Sequence, residues 1–163
     1  MIVTQQASHF SGWMDSYEPF LTELLAAFRK ACPQARLYLH ETWAYERGSD
    51  HGAFFRYHCY CYRPMARQHG LSLIPSGDVI QRARTKEPFR VQDGGRSLCR
   101  DGFHMSLSYG RYLLACVWVG RLFHVSVADN PFIPDGDEAV EPALLALLRQ
   151  TADEVLAEQR SQE

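Results

Sequence analysis

Short β-branched and aliphatic runs alternate along this chain with longer stretches whose apolar residues recur at helical spacing. Ile2 to Thr4 reads as a first strand, and a loop rich in Gln, Ser and His follows through Gly12. From Asp15 or Ser16, the residues Phe20, Leu21, Leu24, Leu25 and Phe28 form one face of a predicted amphipathic helix. Pro19 sits in its first turn and it stops before Cys32-Pro33. Leu37 to His40 is a second strand, and Glu41 to Tyr45 leaves its carboxyl end as a polar and aromatic loop. Phe54, Tyr57, His58, Cys61 and Met65 line a face of a second helix that ends near Gly70. Leu71 to Ile74 is a third strand, closed by Pro75, with a short helix from about Asp78 to Arg84 behind it. A loop bearing Pro, Gly and Arg spans Glu87 to Arg100, and the chain turns helical again around Leu107, with Leu113, Leu114, Val117, Trp118 and Leu122 apolar. A Pro-punctuated connection, Asn130 to Gly136, leads to a last amphipathic helix near Glu141 to Glu158.

Strand and helix alternating three times is the rhythm of right-handed parallel crossovers, which predicts an α/β fold with helices covering a parallel sheet. Three strands make a narrow sheet, and the first begins with no preceding helix to cover the position beside it. The front of the domain therefore reads as missing.

Length and composition narrow the class. The 163 residues fit one ordinary domain, and 46% apolar with 12% aromatic residues is enough to build a core. Seventeen basic against nineteen acidic residues give a formal charge of -2, and the arginines are scattered, so no nucleic-acid partner is expected. No run approaches the roughly 18 to 20 apolar residues of a membrane span, and Met1 to Gln5 lacks the regions of a signal peptide. A cytoplasmic protein without a membrane partner is the expectation, with export conceivable only through an upstream leader. Cys32, Cys59, Cys61, Cys99 and Cys116 are odd in number and unpatterned, which reads as free thiols.

The segment Asp101-Gly102-Phe103-His104-Met105-Ser106 is the most informative for chemistry. An Asp three residues before a His can accept the imidazole Nδ1 proton, fix the tautomer and leave Nε2 outward as a base. A helix-capping Asp beside a surface His would leave the same spacing.

Four motifs in order carry a resemblance: Val3-Thr4-Gln5-Gln6-Ala7-Ser8, then Leu39-His40-Glu41-Thr42-Trp43-Ala44-Tyr45, then Leu73-Ile74-Pro75-Ser76-Gly77-Asp78, then Asp101 to Ser106 followed by Tyr109-Gly110-Arg111-Tyr112-Leu113. In this series residues 2 to about 123 resemble the SGNH (GDSL-like) hydrolases, in particular an uncharacterised bacterial branch. The resemblance implies a flavodoxin-like three-layer α/β/α fold, matched from about its third strand onward, and hydrolysis of an ester, often on a carbohydrate. It divides the chain into a hydrolase-like domain over 1–125, a connection over 126–137 and a C-terminal helix over 138–163. Asp101 would orient His104, and His104 would take the proton of a serine and return it to the leaving alcohol.

The departures are as specific. The superfamily's Gly-Asp-Ser or Gly-Asn-Ser turn is absent, and Ser8, Ser49, Ser72, Ser76, Ser106 and Ser108 all lie elsewhere. The only Asn is Asn130, outside the loop where the oxyanion-hole Asn would stand. A Gln amide at a strand end can donate in its place, making Gln5 or Gln6 the candidates, unless the pair only satisfies loop backbone. Trp43 and Tyr45, at the carboxyl end of a strand, can stack on a sugar ring or simply pack. His58-Cys59-Tyr60-Cys61 sends its thiolates to divergent helix faces, so no metal is expected, and no cofactor is indicated. Asp78 suits a helix N-terminus, and His9, His40, His51, His69 and His124 receive no role.

Two functions follow: an ester hydrolase holding the Asp-His half of its triad, inactive by that mechanism without its serine, or a non-catalytic module binding a glycan or protein. In the second, the bare first strand would be covered by a second copy, a homodimer, or by another chain.

Overall fold

The computed structural model describes residues 1–46, 61–136 and 138–161. Three parallel strands, β1 (Ile2–Thr4), β2 (Leu37–His40) and β3 (Ser72–Ile74), form a sheet in that order. Ile2 stands opposite Leu37 and Thr4 opposite Leu39, while Tyr38 pairs with Ser72 and His40 with Ile74. Helix α1 (Phe20–Ala31) links the first two strands, and α2 leads into the third, its described part covering 61–69. After β3 come α3 (Ser76–Ala83), α4 (Tyr109–Phe123) and α5 (Pro142–Arg160).

Alternation along the strands divides the core in two. Leu39 and Leu73 face α1 and α2, burying Leu21, Leu25, Tyr62 and Met65 beside them. Tyr38 and Ile74 point the other way, into a larger cluster with Val79, Ile80, Leu113, Val117, Leu145 and Leu148 from α3, α4 and α5. The expected α/β fold is present, as three layers. Helix α5 shares the main core.

Element ends move by a few residues where local chemistry decides. The turn before α1 is a separate 3-10 segment, Met14–Ser16, so the helix begins only after Pro19. Helix α3 starts at Ser76, directly behind Pro75, rather than at Asp78, and α4 starts at Tyr109 rather than near Leu107. The predicted face of α2 from Phe54 to His58, and the Cys59 of the Cys-x-Cys pair, lie outside the described residues.

The two margins of the sheet are treated differently. On β3, the outward Leu73 carbonyl accepts from Arg121 Nε at 2.8 Å and from Gln159 Nε2 at 3.2 Å, so α4 and α5 cap that edge. On β1, Ile2 donates to Arg36 on the β2 side, which in a parallel ladder turns the N–H and C=O of Val3 to the opposite, outer side. Beside that margin the predicted apolar face of α1 is only half used. Leu21 and Leu25 are buried, but Phe20 is 68% exposed and Leu24 40%. With Phe10 and Trp13 they line a groove of about 700 Å³.

Candidate functional site

The site joins the loop leaving the carboxyl end of β2, the end at which open α/β sheets bind ligands, to a hairpin in the connection between α3 and α4. Cys99 and Met105 form an antiparallel bridge, and Arg100 N donates to His104 O, so the intervening residues make a tight hairpin. Gly102 turns it with a φ of 92°, a left-handed conformation that costs a glycine little. At its tip His104 Nδ1 lies 2.7 Å from Asp101 Oδ2. Asp101 Oδ1 accepts from the backbone N–H groups of His104, at 2.8 Å, and Phe103, at 3.1 Å. The His104 bond, reinforced by these backbone donors, holds the Asp101 carboxyl down at about 2. His104 is exposed, and its Nε2 has no hydrogen-bond partner among the described residues. The spacing thus produces the expected Asp-His pair.

The loop after β2 braces this hairpin. Trp43 donates its indole N–H to the Phe103 carbonyl at 2.7 Å, and Glu46 N donates to Gly102 O at 2.6 Å. The Tyr45 ring lies 5.5 Å from that of Phe103. Trp43 and Tyr45 therefore both meet the dyad loop, with the Trp43 N–H already committed. Beneath them Arg84 donates to Ala44 O at 2.7 Å and to Glu46 Oε1 at 3.2 Å, and Ser97 donates to the other Glu46 oxygen. Both side chains of this ion pair are almost wholly buried.

The two glutamines separate clearly. Gln6 donates to Ser16 O and Oγ and accepts from Ala7 N, so its amide closes the loop behind β1. Gln5 Oε1 lies 2.8 Å from His40 Nδ1. His40, the last residue of β2, in turn meets Ser76 Oγ at 2.9 Å through Nε2, which also accepts from Trp118 Nε1 at 3.3 Å. A serine hydroxyl on an imidazole resembles a nucleophile and its base. Ser76 is fully buried, however, and burial lowers the His40 pKa to about 4, so this pair is inaccessible and weakly basic. Among the other candidate serines, Ser106 Oγ accepts from Gly110 N at the start of α4, and Ser108 Oγ bonds the Glu138 backbone. No serine is bonded to His104 among the described residues; Ser49 lies outside them.

Asp78, as its helix position suggested, stands in the first turn of α3; its N–H donates to Glu41 Oε2 at 3.0 Å and its carboxylate pairs with Arg63. His40, Glu46, Arg84 and Trp118 were not singled out from the sequence. The alternation that puts Tyr38 in the main core puts His40 on the same face, toward α4, and that was the available signal for it. Among the described residues no group of three or more His, Cys, Asp or Glu side chains is placed to hold a metal, and no helix is long and apolar enough to cross a membrane.

These features define an α/β domain with a parallel sheet and a solvent-facing Asp-His pair at its loop end. The chain belongs to the DUF4886 family, described as a domain of unknown function, whose model matches residues 1–152. It is similar to a solved DUF4886 family protein from Bacteroides uniformis ATCC 8492, with 31% identity and a TM-score of 0.80 over 96% of this chain. The chain spans 61% of that protein's length. No curated protein matches. Neither description names an activity or links the chain to SGNH hydrolases.

Proposed function

We propose that this chain carries the Asp-His part of an SGNH-like ester hydrolase whose substrate is a small or carbohydrate-borne acyl ester. The observation that carries the reading is the imidazole anchored through Nδ1 to Asp101 with Nε2 facing solvent. In that mechanism His104 Nε2 takes the proton from a serine O–H as the oxygen bonds to the acyl carbon. It returns the proton to the departing alkoxide, and water then releases the acid by the same exchange. The serine is to come from a segment outside these residues. The greater length of the solved relative is in keeping with such a segment.

The test is to read the genomic DNA upstream of Met1 in frame for a Gly-Asp-Ser or Gly-Asn-Ser turn and to assay the extended protein on a short-chain aryl ester. His104→Ala is expected to lower kcat by about 100- to 10,000-fold, the usual worth of a positioned acid-base group. Equal rates in both proteins would remove His104 from the mechanism.

A second reading, a non-catalytic module that pairs with another copy of itself, is favoured by the position of β1 at the sheet edge among the described residues and the apolar groove beside it.

A further inference from the structure

We propose that Trp118 and Ser76, acting through His40, hold Gln5 with its amide N–H groups outward as the hydrogen-bond donor for a carbonyl or carboxylate oxygen at the carboxyl end of β1. The inference deepens the ester-hydrolase reading and rests on it for the identity of the ligand, but its geometry stands on donors and acceptors alone.

An indole nitrogen can only donate. Trp118 Nε1 lies 3.3 Å from His40 Nε2, so that ring nitrogen is an acceptor and carries no proton. The Ser76 hydroxyl, 2.9 Å from the same atom and with no other polar contact that the structure gives, donates to it as well. Burial keeps His40 neutral near pH 7, so its single proton resides on Nδ1. That N–H, 2.8 Å from the Gln5 side chain, requires an oxygen opposite it. The amide of Gln5 is thereby oriented with Oε1 inward and Nε2 outward, where it has no partner among the described residues. Gln6 has no such freedom, because Ser16 and Ala7 occupy both ends of its amide.

Gln5 lines the groove at the β1 margin with Thr4, Phe10 and Trp13. An outward amide there is a preorganised donor, costing no reorientation when an oxygen arrives. His40, Ser76 and Trp118 are positioning residues, since only Gln5 would touch the ligand.

The experiment uses the ¹⁵N-labelled 163-residue protein. A long-range ¹H–¹⁵N correlation of the histidine rings at neutral pH is expected to show His40 as the Nδ1–H tautomer. Trp118→Phe combined with Ser76→Ala, which removes both donors, should convert it to a mixture. Titration with acetate, as a carboxylate probe, should shift the side-chain NH2 pair of Gln5 and leave that of Gln6 in place. An Nε2–H tautomer in the wild type overturns the relay. Acetate that moves the Gln6 pair, or neither pair, overturns the donor assignment. Absence of ester hydrolysis in the extended protein would count against the proposed activity while leaving the tautomer result intact.

Discussion

Two histidines of this domain live in opposite surroundings, His104 exposed and His40 buried. His40 is held neutral by burial, with a pKa lowered from 6.5 to about 4, so the unfolded chain binds the extra proton first as pH falls. Its contribution to stability is complete above pH 6.5 and is lost as pH drops through the folded value. The loss is about 3 kcal/mol by linkage between pH 6.5 and 4. Urea denaturation across that range should show the decline, and His40→Asn should flatten it. Asp101 acts at lower pH. Its depressed carboxyl stabilises the fold above about 3.8 and ceases to do so as pH falls toward 2. Asp101→Asn should remove that pH sensitivity, which in the wild type should also shrink on adding salt because the pair is exposed. The Asp101 and His104 contact was legible in the sequence because an i, i+3 spacing around a glycine is a local property. The partners of His40 were not, since Gln5, Ser76 and Trp118 come from three distant parts of the chain, after β1, in α3 and in α4, and meet His40 only after the sheet and α4 have packed.

Between elements, one close approach and one buried ion pair decide how the loop after β2 is held. A Cβ on Gly77 would stand 2.3 Å from the Thr42 carbonyl oxygen and 3.1 Å from Glu41, so the amino end of α3 can lie against this loop only with glycine there. Gly77→Ala should destabilise the domain by about 3 kcal/mol, the upper part of the usual range for overpacking, read as a lowered denaturation midpoint. Arg84→Met leaves the buried Glu46 carboxylate without its cation, and a loss of about 3 to 5 kcal/mol is expected. Pairing it with Glu46→Gln should recover part of that loss. The strand and helix order could be read from periodicity because each element announces its own period. What periodicity could not show was which part of a helix face stays uncovered. Phe20 and Leu24 on α1 fit the apolar pattern as well as Leu21 and Leu25 do, yet they stand exposed while Leu21 and Leu25 are buried. Arg84 gave no signal at all, because a lone arginine after a short helix looks like a solvated one until Glu46 folds over it.

At the scale of the whole molecule, Trp13, Phe20, Leu24 and Phe10 form an apolar surface next to β1, the edge strand of the sheet among the described residues, the combination that drives edge pairing. If a second copy covers it, sedimentation equilibrium should show a dimer, and Trp13→Glu with Phe20→Glu should shift it to monomer without lowering the thermal midpoint of the monomer. A wild-type protein that stays monomeric at every concentration would dismiss that reading. The opposite margin sets the limit on such assembly. Because Arg121 and Gln159 already occupy the outward carbonyl of Leu73, a sheet joined through β1 has two blunt ends and nowhere to grow. Association through β1 would therefore terminate at a closed pair with twofold symmetry, and the same capping would keep such a pair from propagating into fibres.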